Sequence, residues 1–181
     1  MSRTIRAALA VGASAAALIG SATTAHADQS MARAAADGAS FVRLQAEHSG
    51  KCLTIENGSL ADRTRAVQST CDDSLAYQLF RLVPTGSATF EVRAKHSGRC
   101  LSTGPHYEWE TGQEWCFDSS SQRWSVIMVE VAKEVYELRP VDAPDYCLTV
   151  HDASLNDGVG AYIGRCSGIT ASRWRIQPVT P

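Results

Sequence analysis

The sequence predicts an all-β fold made of three copies of one repeat around a pseudo-threefold axis. Six cysteines fall into three short-range pairs, strand-like segments stand before and after each pair, and helical periodicity is absent. A unit of roughly 47 residues with a few short strands cannot bury its apolar face alone, so three units must share one core. The expected class is therefore a β-trefoil of three disulfide-containing repeats.

The clearest repeat surrounds the first cysteine of each pair. Segment 46–53 reads AEHSGKCL and segment 94–101 reads AKHSGRCL, so six of eight positions are identical. The third copy is looser, because a one-residue insertion brings in Pro140 and Pro144. Because exported proteins retain disulfides, we predict one bond inside each repeat. The predicted pairs are Cys52 with Cys71, Cys100 with Cys116, and Cys147 with Cys166.

Zinc is the competing use of cysteine. A zinc site needs clustered thiolates or histidines at short spacing, whereas successive cysteines here are 19, 29, 16, 31 and 19 residues apart. We therefore expect no metal and no other cofactor.

Alternating segments with every second residue apolar flank each cysteine pair, as half-buried strands require. The segments ahead of the pairs are 42–44, 90–92 and 136–138, and those after them are 80–82, 124–126 and 174–176.

The first 27 residues have the pattern of an export signal. Arg3 and Arg6 precede an uncharged run, and Ala25-His26-Ala27 ends on the small-x-small pattern of a cleavage site. A membrane anchor is the alternative, but the run contains mainly Ala, Gly, Ser and Thr. We expect a secreted, extracellular protein. The expected divisions are a signal peptide at 1–27, a flexible leader at 28–39 and one trefoil at 40–181, with repeats at about 40–87, 88–133 and 134–181.

The charge narrows the range of partners. The chain has a net charge of −2, whereas nucleic acids and anionic membranes attract basic surfaces. Neither is an expected partner.

The sequence near each second cysteine resembles the Q-x-W signature of the ricin B-type lectin family. The resemblance extends over about residues 40–181 and implies twelve strands, six in a short barrel and six in a hairpin cap. It also implies that the aromatic residue of each signature lies in the core. The three matches are Gln78-Leu79-Phe80, Gln122-Arg123-Trp124 and Ser172-Arg173-Trp174.

The usual sugar pocket of that family is missing its two marker residues. Sugar-binding members carry an Asp two residues after the first cysteine and a stacking aromatic two residues before the second. The Asp positions hold Thr54, Ser102 and Thr149, and the aromatic positions hold Ser69, Glu114 and Gly164. A galactose pocket of the usual form is therefore not expected.

Residues in repeats two and three offer alternatives to the missing Asp and stacking aromatic. In repeat three, Tyr162 stands two residues before Gly164 and so faces the same side of a strand, with polar residues nearby. In repeat two, an aromatic and acidic segment carries Trp109 and Trp115, which either bind a partner or cover the barrel end and the disulfide. The candidate carbohydrate-binding residues are Thr149, His151, Asp152, Asn156, Tyr162, Trp109 and Trp115.

No sequence motif supports catalysis. His48-Ser49 and its copy His96-Ser97 recur at one repeat position before a glycine, which favours a turn over a nucleophile beside its base. We predict a secreted, non-catalytic carbohydrate-binding module that recognises a glycan or polysaccharide through a divergent pocket. The alternative is a trefoil that binds a secreted or surface protein, such as a protease inhibitor or a receptor ligand.

Overall fold

The computed structural model describes residues 41–104 and 109–179, so the expected signal peptide and leader lie outside the described residues. Within these ranges the chain forms twelve strands and six short 3₁₀ turns. The strands are β1 (Phe41–Ala46), β2 (Cys52–Ile55), β3 (Ala66–Ser69), β4 (Phe80–Gly86), β5 (Thr89–Ala94), β6 (Cys100–Thr103), β7 (Thr111–Glu114), β8 (Arg123–Glu130), β9 (Val135–Pro140), β10 (Tyr146–Val150), β11 (Val159–Arg165) and β12 (Trp174–Val179). The 3₁₀ turns are Glu56–Gly58, Ala76–Gln78, Ser120–Gln122, Val131–Lys133, His151–Ala153 and Thr170–Ser172. None of the helical segments among the described residues has the length and apolar character needed to cross a membrane.

Six strands close a barrel in which every pairing is antiparallel. The ring runs β1, β4, β5, β8, β9, β12 and back to β1. The other six strands form the hairpins β2–β3, β6–β7 and β10–β11. These hairpins meet through the β3–β11 pairing and two single bridges, which makes a cap. The predicted β-trefoil is confirmed, with four strands from each repeat.

The core contains the three signature aromatics. Phe80, Trp124 and Trp174 are each fully buried. A buried indole N–H needs an acceptor, and Trp124 Nε1 donates to the Leu101 carbonyl at 3.0 Å while Trp174 Nε1 donates to the Leu148 carbonyl at 2.8 Å. The prediction that these aromatics are structural is confirmed.

The glutamine of the signature holds the backbone on both sides of the second cysteine. Gln78 Oε1 accepts from the Asp72 N–H at 2.8 Å, and its Nε2 donates to the Thr70 carbonyl at 3.0 Å. Gln122 repeats both bonds in repeat two. In repeat three Ser172 replaces the glutamine and makes one bond, to the Ile169 carbonyl. The first residue of the signature thus makes fewer side-chain hydrogen bonds in repeat three than in repeats one and two.

All three predicted disulfides are present, and the described residues include no free cysteine. Two glutamates beside them depart from the simple strand pattern. A half-buried strand would expose Glu91 and Glu137, yet each is only 4% exposed. Each lies close to the sulfurs of its repeat's disulfide, and its carboxylate accepts from the guanidinium two residues later, Arg93 or Arg139, at 2.6 Å. The cap hairpin of each repeat therefore covers the face of β5 or β9 that carries the glutamate, although the alternation of apolar residues predicts that this face is exposed to solvent.

The His-Ser-Gly copies form turns, as expected, and also tie one repeat to another. Ser49 donates to Gln68 Oε1 at 2.8 Å, and Gln68 Nε2 donates to the carbonyls of Ser154 at 2.6 Å and Asn156 at 2.9 Å. His48 Nε2 lies 2.9 Å from the same Ser154 carbonyl. We call this arrangement a glutamine clamp, and here it fixes the loop 151–158 of repeat three.

Repeat two makes a second glutamine clamp on repeat one. Ser97 donates to Gln113 Oε1 at 2.7 Å, and Gln113 Nε2 donates to the carbonyls of Ser59 at 2.8 Å and Ala61 at 2.7 Å. His96 Nε2 lies 3.1 Å from the Ser59 carbonyl. This clamp fixes the loop 56–65.

Candidate functional site

The repeat-three candidates converge around one aromatic pair. The Tyr162 and His151 rings stack with centroids 4.0 Å apart and planes 13° apart. Tyr162 also leans over Gly164: a Cβ at that glycine would lie 3.0 Å from the tyrosine hydroxyl and 3.2 Å from Thr149 Oγ1. The expected same-side placement of Tyr162 and Gly164 is therefore confirmed, because the Tyr162 side chain lies where a side chain at Gly164 would begin.

The polar candidates differ in how available they are. Thr149 is 2% exposed, and its hydroxyl donates to the Cys147 carbonyl at 2.8 Å. Its side chain therefore lines the site but does not offer its hydroxyl proton to a ligand. Asp152 is exposed and occupies the left-handed region at φ 53°, which aspartate tolerates better than most residues. Asn156 is held through its backbone by the clamp from Gln68. The side chains of Asp152 and Asn156 are accordingly the exposed acceptors of this group.

A second carboxylate fixes the end of the same loop. Asp157 accepts from Lys51 Nζ at 2.5 Å and from the Thr70 N–H at 3.0 Å. The Lys51 hydrogen bond is the main reason that the pKa of Asp157 lies below its ordinary value, with Thr70 adding to the effect against a small opposing effect of burial. Residues 154–158, directly after Asp152 and its neighbour, are thus tied to repeat one.

Trp109 does not join this cluster. Its ring is 49% exposed and stacks on Tyr146 with centroids 5.2 Å apart. Side chains alternate along a strand, so Tyr146 faces the side of the β10–β11 hairpin opposite to Thr149 and Tyr162. Trp109 and Tyr162 therefore serve different faces of one hairpin.

Trp115 lies in a third place. Its ring is 57% exposed and the Arg99 guanidinium sits 4.2 Å from the ring centroid. Its backbone N–H donates to Asp62 of repeat one at 2.9 Å. The structure therefore separates the seven candidates into the Tyr162 group, Trp109 and Trp115.

Sequence reasoning missed a cleft of about 310 Å³ in repeat one. Glu56 and Asn57 line one part of it and Tyr77 another. The Tyr77 ring presses against Gly58, where a Cβ would lie only 2.6 Å from Cδ1, so this turn requires glycine. The available signal was positional, because a tyrosine directly precedes the signature glutamine in repeat one only; Ser121 and Ala171 take its place elsewhere.

Two groupings of potential metal ligands exist among the described residues. They are Glu91 with Cys100 and Cys116, and Glu137 with Cys147 and Cys166. Metal binding requires thiolates, and all four cysteines are in disulfides. In the oxidised protein these groupings therefore offer one carboxylate each.

Comparison with known proteins agrees with this geometry. The family model described as a ricin-type β-trefoil lectin domain-like domain matches residues 31–114. A search of curated protein sequences gives no match.

Solved structures extend the likeness beyond the matched segment. A designed threefold-symmetric protein, ThreeFoil, is 26% identical with a TM-score of 0.71, covering 77% of this chain and 99% of its own. An exo-β-1,3-galactanase from Clostridium thermocellum is 22% identical with a TM-score of 0.70, covering 77% of this chain and 30% of its own. The C-half of an earthworm R-type lectin, solved with GalNAc, is 14% identical with a TM-score of 0.63, covering 78% of this chain and 100% of its own.

The fold and the cap hairpins thus define a lectin-like trefoil. More narrowly, residues 31–114 match the ricin-type β-trefoil lectin domain-like family, and the resemblance stated from the sequence is confirmed.

Proposed function

We propose that this protein is a secreted, non-catalytic carbohydrate-binding module with a displaced sugar pocket in repeat three. One observation carries the proposal: the Tyr162 ring leans over Gly164, where sugar-binding relatives place their stacking aromatic. The aromatic has moved two residues along the strand, but its ring returns to the same neighbourhood. A flat ring beside a few fixed polar groups is the common design of sugar sites.

The polar rim supports the same reading. The exposed Asp152 carboxylate offers charge-assisted hydrogen bonds to sugar hydroxyls. Its loop is held by Gln68, His48 and Lys51, all from repeat one. A loop that is already ordered loses little conformational entropy when a ligand binds. The proposed pocket is therefore preorganised for binding.

The repeat-one cleft is a second place for a saccharide. Tyr77 provides a ring, Glu56 and Asn57 provide hydrogen-bonding groups, and the glutamine clamp from Gln113 fixes the adjoining loop. Both proposed sites combine an aromatic residue with a clamped loop. Two sites on one module would also raise the avidity for a polymer.

Structural neighbours support the ligand class and the disulfides support the location. One neighbour was solved with GalNAc, and another is a hemolytic lectin. Three disulfides persist in an oxidising environment, which suits export directed by the predicted signal at 1–27.

The test is a binding screen with the protein produced in an oxidising compartment. We expect competable binding on a glycan array or on chitin, xylan or cellulose. Tyr162→Ala should weaken that binding by about tenfold or more, the scale of one lost stacking contact. Phe117→Ala is the matched control, because it removes a ring that is 66% exposed in repeat two.

Two results would overturn the proposal. The first is no binding to any glycan by a folded, fully disulfide-bonded sample, which would favour a protein partner. The second is glycan binding that survives combined Tyr162→Ala and Tyr77→Ala changes while thermal unfolding shows the variant to be folded.

A further inference from the structure

A cluster of cations lies on the barrel, away from the cap hairpin that carries Tyr162. The Arg81 guanidinium carbon lies 5.1 Å from the centroid of the Phe41 ring, and Lys95 Nζ lies 4.8 Å from the same centroid. Arg93 lines the same cleft, which has a volume of about 200 Å³. Two positive side chains therefore lie against one aromatic ring, and a third lines the same cleft.

The charges in this cluster are poorly balanced. Arg93 is paired with the buried Glu91, whereas Arg81 and Lys95 belong to none of the ion pairs formed among residues 41–104 and 109–179. Arg81 stands directly opposite Arg93 in the β4–β5 register. Like charges placed opposite each other on a sheet are destabilising, so folding alone does not explain the arrangement.

The pseudo-threefold symmetry provides an internal comparison. Strand register and backbone bonding identify the equivalent positions at the other two junctions between repeats. The cluster at the junction of repeats one and two contains, in order, Phe41, Arg81, Arg93 and Lys95. At the junction of repeats two and three the equivalents are Thr89, Ser125, Arg139 and Val141. At the junction of repeats three and one they are Val135, Arg175, Gln45 and Glu47. The other two junctions of the barrel therefore form without this cluster. One of them, between repeats three and one, carries the acid Glu47 in place of Lys95.

We propose that the Phe41 cleft binds an anionic group of an acidic polysaccharide, either a sulfate ester or a uronate carboxylate. Arg81 and Lys95 supply two cations that no ion pair within 41–104 and 109–179 engages, and attraction to the Phe41 ring holds them side by side. Guanidinium donors match the oxygens of carboxylate and sulfate. The site goes beyond the proposed neutral sugar pocket, and neither depends on the other.

A polysaccharide fits this surface better than a nucleic acid. The chain carries a net charge of −2, so a long, evenly charged phosphate backbone would meet repulsion outside the cluster. An acidic polysaccharide with spaced anionic groups needs only one such contact per site.

The experiment compares dextran sulfate, polygalacturonate and unsubstituted dextran, with single-stranded DNA as a fourth probe. We expect binding of dextran sulfate or polygalacturonate that weakens with salt, and no comparable binding of dextran. A preference for dextran sulfate assigns a sulfate ester, and a preference for polygalacturonate assigns a carboxylate.

The decisive variant is Arg81→Gln with Lys95→Gln. We expect its affinity for the preferred acidic polysaccharide to fall by about tenfold or more and its salt dependence to become shallower. The matched control is Arg175→Gln with Lys133→Gln, which removes the same charge and includes the pseudo-threefold equivalent of Arg81. Equal loss in both variants, no preference over dextran, or tighter binding to DNA would each overturn the proposal. The Tyr162→Ala variant should keep its affinity for the acidic polysaccharide, which separates this site from the sugar pocket.

Discussion

The loops 56–65 and 151–158 are held by glutamine clamps, whereas the residues that the structure describes contain no third glutamine clamp. Gln113 and Gln68 make the two clamps. The equivalent position in repeat three is Ile163, which stands opposite Leu148 as Gln68 stands opposite Leu53. The Ile163 side chain has no amide group to bond to a loop, and its backbone N–H donates to the Trp109 carbonyl of repeat two at 2.7 Å.

This difference shows how three similar repeats divide their roles. The two clamped loops border the Tyr162 group and the Tyr77 cleft, the places where a ring and polar groups meet. At the third position, Trp109 stacks on the Tyr146 ring, and its carbonyl accepts from the Ile163 N–H. We infer that the clamps prepare two of the three cap positions for binding.

The largest effect is expected from removing a clamp. Gln113→Leu or Gln68→Leu should lower the free energy of unfolding by about 2–3 kcal/mol, because each change removes three partly buried hydrogen bonds. Urea unfolding measures the change. Gln177→Leu is the matched control, since it removes one bond, to Gln45, and should cost less than about 1 kcal/mol. Equal losses in clamp and control variants would contradict the special role of the clamps.

A smaller and more local effect is expected from the histidines. His48→Ala should cost about 1 kcal/mol, the usual net value of one hydrogen bond. Hydrogen exchange should become faster in residues 151–158, because His48 bonds to Ser154, and should stay unchanged in residues 56–65. His96→Ala should give the reverse pattern through Ser59. Faster exchange in both loops of either variant would show that the clamps are not independent.

The smallest effect is expected from Asp157, which is more exposed. Its pKa is lowered in the folded state from an ordinary value of 3.8, so its contribution is present above that value and is lost as the pH falls below it. Asp157→Asn should therefore make the acid limb of the stability curve shallower, with the two proteins converging once the pH falls below the lowered pKa of Asp157. Urea midpoints measured across that range test this expectation, and an unchanged acid limb would contradict it.

The fold was predictable because its main determinants recur in the sequence. Matching cysteine spacings and signature aromatics gave the three disulfides and the three core rings, and both predictions are confirmed. The burial of Glu91 and Glu137 was not predictable, because period-two alternation describes one strand and does not include the hairpin packed over it. The grouping of Tyr162 with Gly164 was predictable, since both lie on one strand.

The sequence by itself determined the repeat, the disulfides, the core aromatics and the loss of the usual pocket residues, because each depends on residues close together in one repeat. Only the tertiary structure decided which loops are clamped, that Trp109 and Tyr162 lie on opposite faces of one hairpin, and that Arg81 and Lys95 meet at Phe41. These features join residues from different repeats. Their partners are chosen by the closure of the barrel and cap, which brings together positions that no local pattern connects.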